Sequence, residues 1–173
     1  MNDSHMEAKR LQEAAFNTLH AILDTTGSSE TINASMEQYN HFFCVVENIL
    51  GHGMKHDKKS FWASKPEPRD FFDLLECLPK VWSQGKKVMD VVNNFPTAKT
   101  SKGKGRLWLR IALKEKNLKT LLTKLTQDQS LLRKFYEDDA LLRNNDQLEM
   151  FLGILSPLEV LNVPVTFRCG LGL

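Results

Sequence analysis

Cysteine is scarce: the 173 residues hold three, Cys44, Cys77 and Cys169, with no C-x-x-C pair and no even set. Such spacing excludes zinc ribbons and disulfide-stapled scaffolds and fits a reducing, cytosolic setting. Long apolar runs are missing too. Stretches such as Phe42 to Val46 and Met150 to Leu155 fall far short of the roughly 20 residues a membrane-spanning helix needs. No secretory signal precedes Met6, so the Asn33-Ala34-Ser35 sequon reads as idle, and residues 1–6 are expected to be a tail without structural weight. An excess of one charge is lacking as well: 23 Lys and Arg against 21 Asp and Glu leave +2, too little for bulk binding of nucleic acid or an anionic membrane.

Catalytic signatures are equally absent. Gly103-Lys104-Gly105-Arg106 lacks both the four-residue spacing and the Lys-Ser/Thr pair of a phosphate loop. His52 and His56 stand four apart, but glycines interrupt the helix between them and no Glu completes an H-E-x-x-H pair. Carboxylate pairs such as Asp70 with Asp73 and Asp138 with Asp139 read as helix-surface and turn residues. No nucleophile, base and oxyanion donor converge, so neither an enzyme nor a bound metal or cofactor is expected.

What the chain has in plenty is helical periodicity. Leu11, Ala15, Thr18, Leu19 and Ile22 share one face of a helix predicted over 7–24, and Ser35 with Gln38 forms a capping box for a second helix that Gly51 and Gly53 stop. A polar connection follows over 54–68. Residues 70–78 read as a helix ended by Pro79, and 81–93 as a weaker one. The breaker-rich stretch 97–105 reads as a loop, with further helices at 106–116, 118–126, 129–136 and 147–161, the last bent by Pro157. Only Val163 to Phe167 alternates as a strand would. The class is therefore all-α: one bundle of about eight helices over 7–163, with a short extension over 164–173.

The helix from Arg106 is apolar almost all round, with Trp108, Leu109, Ala112 and Leu113 on one face and Leu107 and Ile111 on another, which makes it central. Phe43, Leu50, Trp62, Phe72, Trp108, Leu109, Leu113 and Tyr136 are the expected core anchors. Arg106, Arg110 and Lys114 recur every fourth residue as one polar stripe. Lys104 and Arg106 fall near the helix start, where cations oppose the macrodipole by about 0.3–1 kcal/mol each and an anionic partner is favoured. The competing reading is that Arg106 or Arg110 pairs with an internal carboxylate to orient helices. Charge is also uneven along the chain: nine Lys and Arg and a single acid, Glu115, lie between Lys99 and Lys124, a local +8 within a chain whose remainder carries −6.

The block Gly103-Lys104-Gly105-Arg106-Leu107-Trp108-Leu109-Arg110-Ile111-Ala112-Leu113 resembles the G-[KR]-x-R-x-W-[LI]-R-x-A-L block of RUN domains. Phe42 to Lys55, with Glu47 and His52-Gly53, resembles the family's leucine-glutamate and histidine-glycine block. Lys59-Ser60-Phe61-Trp62, Asp70-Phe71-Phe72 and Leu131 to Leu142 follow in the family's order, so the likeness spans about 7–161. Met54 and Leu107 depart from the usual leucine and alanine. The resemblance implies a helical, non-catalytic domain that binds a GTP-loaded small GTPase of the Rab, Rap or Arf-like group within a vesicle or lysosome trafficking adaptor. Kinesin machinery and a position peripheral to endosomal or lysosomal membranes are implied for some members. By the same resemblance His52, Lys104 and Arg106, with Arg110 beside them, are the expected GTPase contacts. The alternatives are a module for phosphoinositides or anionic membrane surfaces through the same lysines, and a scaffold for motor partners that needs no GTPase.

Overall fold

The computed structural model describes residues 3–24, 36–56 and 69–160. Among them are nine α-helices and two 3-10 turns, and an antiparallel bridge joins Met54 and Tyr136. The all-α expectation holds.

Helix α1 runs Asp3–Leu23, so four residues expected in a tail are helical. Its buried face, Ala8, Gln12, Ala15, Thr18, Leu19 and Ile22, packs on α2, Met36–Gly51. Ser35 of the expected capping box lies outside the described residues, and the Gln38 amide donates across to the Ala21 carbonyl. Gly53 ends the α2 region at φ +68, where a Cβ would stand 2.5 Å from Ala140 Cβ and 2.7 Å from its Cα. That turn therefore needs glycine for both its dihedral and its close approach. It also lets the chain pair with the end of α8: Lys55 N–H donates to Phe135 O, Glu137 N–H to Gly53 O, and the Tyr136 hydroxyl to Leu50 O at 2.6 Å.

Asp70 caps α3, Phe71–Leu75, its carboxylate accepting from Phe72 N–H. Pro79 does not end a helix. It sits in the first turn of α4, Leu78–Val81, where its missing N–H is an orphan anyway. After α5, Gly85–Asn93, comes the main difference from the sequence reading: α6 spans Ser101–Lys114. Thr100 Oγ1 accepts from Gly103 N–H and caps it, so Gly103, Lys104 and Gly105 form helix rather than loop. A Cβ on Gly105 would stand 2.5 Å from Phe71 Cζ, so this glycine serves close packing of α3 on α6. Helix α6 ends at Lys114, two residues before the expected end, and Lys116, at φ +56, turns the chain away.

Helices α7, Leu118–Thr126, and α8, Gln129–Phe135, fall where periodicity predicts, α8 capped by Asp128. A 3-10 turn, Leu141–Arg143, leads to α9, Asn145–Leu155, and Pro157 opens the final 3-10 turn, Ser156–Glu159. The expected strand over 163–167 lies outside the described residues. α6 is central, packing on α2, α3, α5 and α7, with Trp108, Leu109 and Ala112 wholly buried. Phe43, Leu50, Phe72, Leu113 and Tyr136 are buried as expected, and Trp62 lies outside the described residues.

Candidate functional site

The outer face of α6 is set by spacing. Lys102, Arg106, Arg110 and Lys114 recur every fourth residue and leave the core to Leu107, Trp108 and Ile111. α2 lies alongside, presenting Asn40 and the exposed Cys44. Arg110 donates to Asn40 Oδ1 at 3.1 Å and to the Arg106 carbonyl at 3.3 Å, its guanidinium 5.2 Å from the centre of the Phe43 ring. Lys104 Nζ donates to Asn93 Oδ1 at 3.1 Å and lies 5.7 Å from the centre of the Phe72 ring. Each cation thus stands on an aromatic of the core, an arrangement that holds the charge outward at a defined place.

Arg106 behaves differently. Its Nε and Nη2 donate to the two carboxylate oxygens of Glu47, at 2.7 and 3.1 Å, a two-point fork between α6 and α2. Hydrogen bonding to Glu47 raises the guanidinium's affinity for its proton above the ordinary value, against a smaller desolvation effect. The reading in which this arginine orients helices is the one the geometry supports. The signal was present in the sequence, since Glu47 interrupts the apolar face of α2 between Val46 and Ile49.

His52 does not join Lys104 and Arg110. It is buried, and both ring nitrogens are engaged: Leu141 N–H donates to Nδ1 at 3.0 Å, and Nε2–H donates to Ser4 O at 3.2 Å. Those bonds fix the Nε2–H tautomer and tie the end of α2 to the start of α1 and to the turn at Leu141. Of the four expected contacts, Lys104, Arg106 and Arg110 are all partly exposed on α6, Arg106 being also paired with Glu47, and His52 is buried. The basic stretch 99–124 is likewise divided: Lys119 leaves the α6 face and donates to Ser156 Oγ at 2.7 Å.

Sequence reasoning missed a groove of about 620 Å³ along the same helix, lined by Trp82, Val88, Val91, Phe95, Leu107 and Ile111, with Lys114 and Glu115 at its rim. Its only sequence signal was Val91, an apolar residue on the polar side of α5 that is half-exposed. Among the described residues no three His, Cys, Asp or Glu gather as a metal site, and no helix is long and apolar enough to cross a membrane.

A capped, glycine-packed central helix with an outward basic stripe runs through an all-helical domain. The RUN domain family model matches residues 41–167, and the chain belongs to that family. Human RUN and FYVE domain-containing protein 1 is 35% identical over 150 residues, covering 87% of this chain and 20% of that protein. Human Protein RUFY3 is 30% identical over 162 residues, 94% of this chain and 31% of its own length. RUN and FYVE domain-containing protein 2 of Pongo abelii is 30% identical over 132 residues, 76% of this chain and 21% of its own length. The chain thus spans a third or less of these relatives.

Proposed function

We propose that this domain is a non-catalytic docking module for a GTP-loaded small GTPase of the Rab, Rap or Arf-like group, acting within a vesicle or lysosome trafficking adaptor. Family membership supports the class of partner. The observation that carries the site is the pairing of two α6 cations with core aromatics, Arg110 with Phe43 of α2 and Lys104 with Phe72 of α3. Cations held in this way steer an acidic surface into register, and the apolar groove beside them offers the desolvated contact from which most affinity comes. Arg106 contributes by fixing α6 against α2, and His52 by holding the end of α2; neither is a direct contact in this reading.

The test is a pull-down across Rab, Rap and Arf-like GTPases loaded with GTP analogue or GDP, using wild type and the Lys104→Glu/Arg110→Glu double variant. Expected is one GTPase group captured in the GTP form, with capture reduced at least tenfold by the double variant while its melting curve stays near wild type. Absence of any nucleotide-dependent partner overturns the proposal. So does salt-sensitive flotation on phosphoinositide vesicles with no GTPase captured.

A further inference from the structure

A second surface lies on α1 and α9, with a different character. Phe16, Leu19, His20 and Leu23 on α1, Met150, Gly153 and Ile154 on α9, and Pro157 of the 3-10 turn after it line a groove of about 350 Å³. Each wall follows i, i+3, i+4, i+7, so the groove is the seam between two parallel-sided helical faces. Phe16 is 56% exposed and Met150 57%, so one large apolar side chain from each helix borders the groove. The Phe16 ring rests 5.9 Å from that of His20, which in turn bonds Asp24, so the aromatic is held at the groove edge.

Exposed acids flank this seam: Glu13 on α1 and Asp24 at its end, and Asp146 and Glu149 on α9. Glu159 is taken up by the Thr120 N–H and hydroxyl of α7, and Lys119 of the same helix is held by Ser156 Oγ. Gly153 adds a further observation. A Cβ there would meet nothing within 4 Å, so the fold does not require glycine, and the missing side chain leaves the groove open along its length.

We propose that the α1–α9 seam docks an amphipathic helix of a partner protein, one with an apolar stripe and Lys or Arg on both flanks. The apolar walls at helical spacing match the stripe, and the acidic rim matches the flanks while repelling anionic lipid and acidic protein surfaces. From Phe16 to Leu23 the seam is about 10 Å long at 1.5 Å rise per residue, so roughly two turns of the incoming helix make contact. This site is separate from the basic α2–α6 face and does not depend on the GTPase reading.

The probe is a fluorescein-labelled 18-residue peptide with Leu at i, i+3, i+4, i+7 positions and Lys elsewhere, titrated with the intact domain at physiological salt and followed by anisotropy. Expected is binding at least tenfold tighter than that of a peptide of the same composition with its leucines scrambled, and of a peptide with Glu for Lys. Gly153→Leu, whose Cβ meets nothing within 4 Å and whose side chain extends into the groove, weakens binding at least tenfold while melting stays at or above wild type. Met150→Lys, which places a cation against the peptide's own, weakens it similarly. Equal affinity for the scrambled peptide, or groove variants that bind as wild type, overturns the proposal. So does a dimer in sedimentation that Met150→Lys makes monomeric, which assigns the seam to a second copy, or loss of GTPase capture in Gly153→Leu, which assigns it to the GTPase.

Discussion

Replacing Arg106 by alanine tests the asymmetry of its pair with Glu47. The Glu47 side chain is 10% exposed and that of Arg106 39%, so the two single truncations leave unequal remnants. Removing one partner of a fully buried pair costs about 3–5 kcal/mol, and hydrogen bonds to charged groups contribute about 1.5–3. With one partner over a third exposed, solvent screening lowers the first figure, which puts Arg106→Ala at about 2–3 kcal/mol. Glu47→Ala leaves a guanidinium that water already reaches, so its cost is about 1–1.5 kcal/mol. Arg106→Lys keeps the charge but loses the fork and falls between wild type and Arg106→Ala. Urea unfolding of the four members of the double-mutant cycle reads these values from midpoint shifts at constant slope. Glu47→Ala as costly as Arg106→Ala, or a coupling energy near zero, would refute the reasoning. The same experiment warns against reading lost partner binding in an Arg106 variant as a lost contact.

Three further expectations follow from the packing. His52→Ala removes the acceptor of Leu141 N–H and the donor to Ser4 O, at about 2 kcal/mol, and hydrogen exchange should show the start of α1 opening first. Gly105→Ala drives a methyl into the Phe71 ring and costs about 1–3 kcal/mol by thermal melting, although alanine favours helix elsewhere. Burial raises both tyrosines of the chain, Tyr39 to about 12 and Tyr136 above the ordinary range. A group whose folded pKa is raised stabilises the fold fully below its unfolded value, near 10, and loses that contribution as pH climbs toward the folded value. Ultraviolet titration should therefore show no phenolate step at pH 10 in the folded domain, with unfolding setting in above it. Two phenolates forming at pH 10 without unfolding would contradict the burial.

The helices were legible where apolar spacing was regular, as in α1, α7 and α8, and the central place of α6 followed from its being apolar all round. The start of α6 was not, because glycines at 103 and 105 read as breakers. Their helical role depends on the Thr100 cap and on Phe71, a ring 34 residues away that no local pattern names. Pro79 misled for a related reason, since a proline ends one helix or opens the next depending on where the cap falls. The candidate site was half legible. Stripe spacing located Arg106 and Arg110, but the pairing of Arg106 with Glu47 depended on the neighbour, α2. The α1–α9 seam escaped because Phe16 and Met150 each look like ordinary members of an amphipathic helix until both faces meet.

Besides the His52 bond to Ser4 O, the start of α1 bonds to residues far along the sequence: Gln12 to Gln147, His5 to Gln147, Ser4 to Asp139, the first two over 135 and 142 residues. During synthesis at about 5–20 residues per second, those partners leave the ribosome roughly 7–28 seconds after α1 does. For that interval α1 has α2 for company and nothing to cover the face that later receives α9. Helix α1 is thus made well before the elements that complete its packing, and the nascent chain spends that interval with the face around Phe16 uncovered.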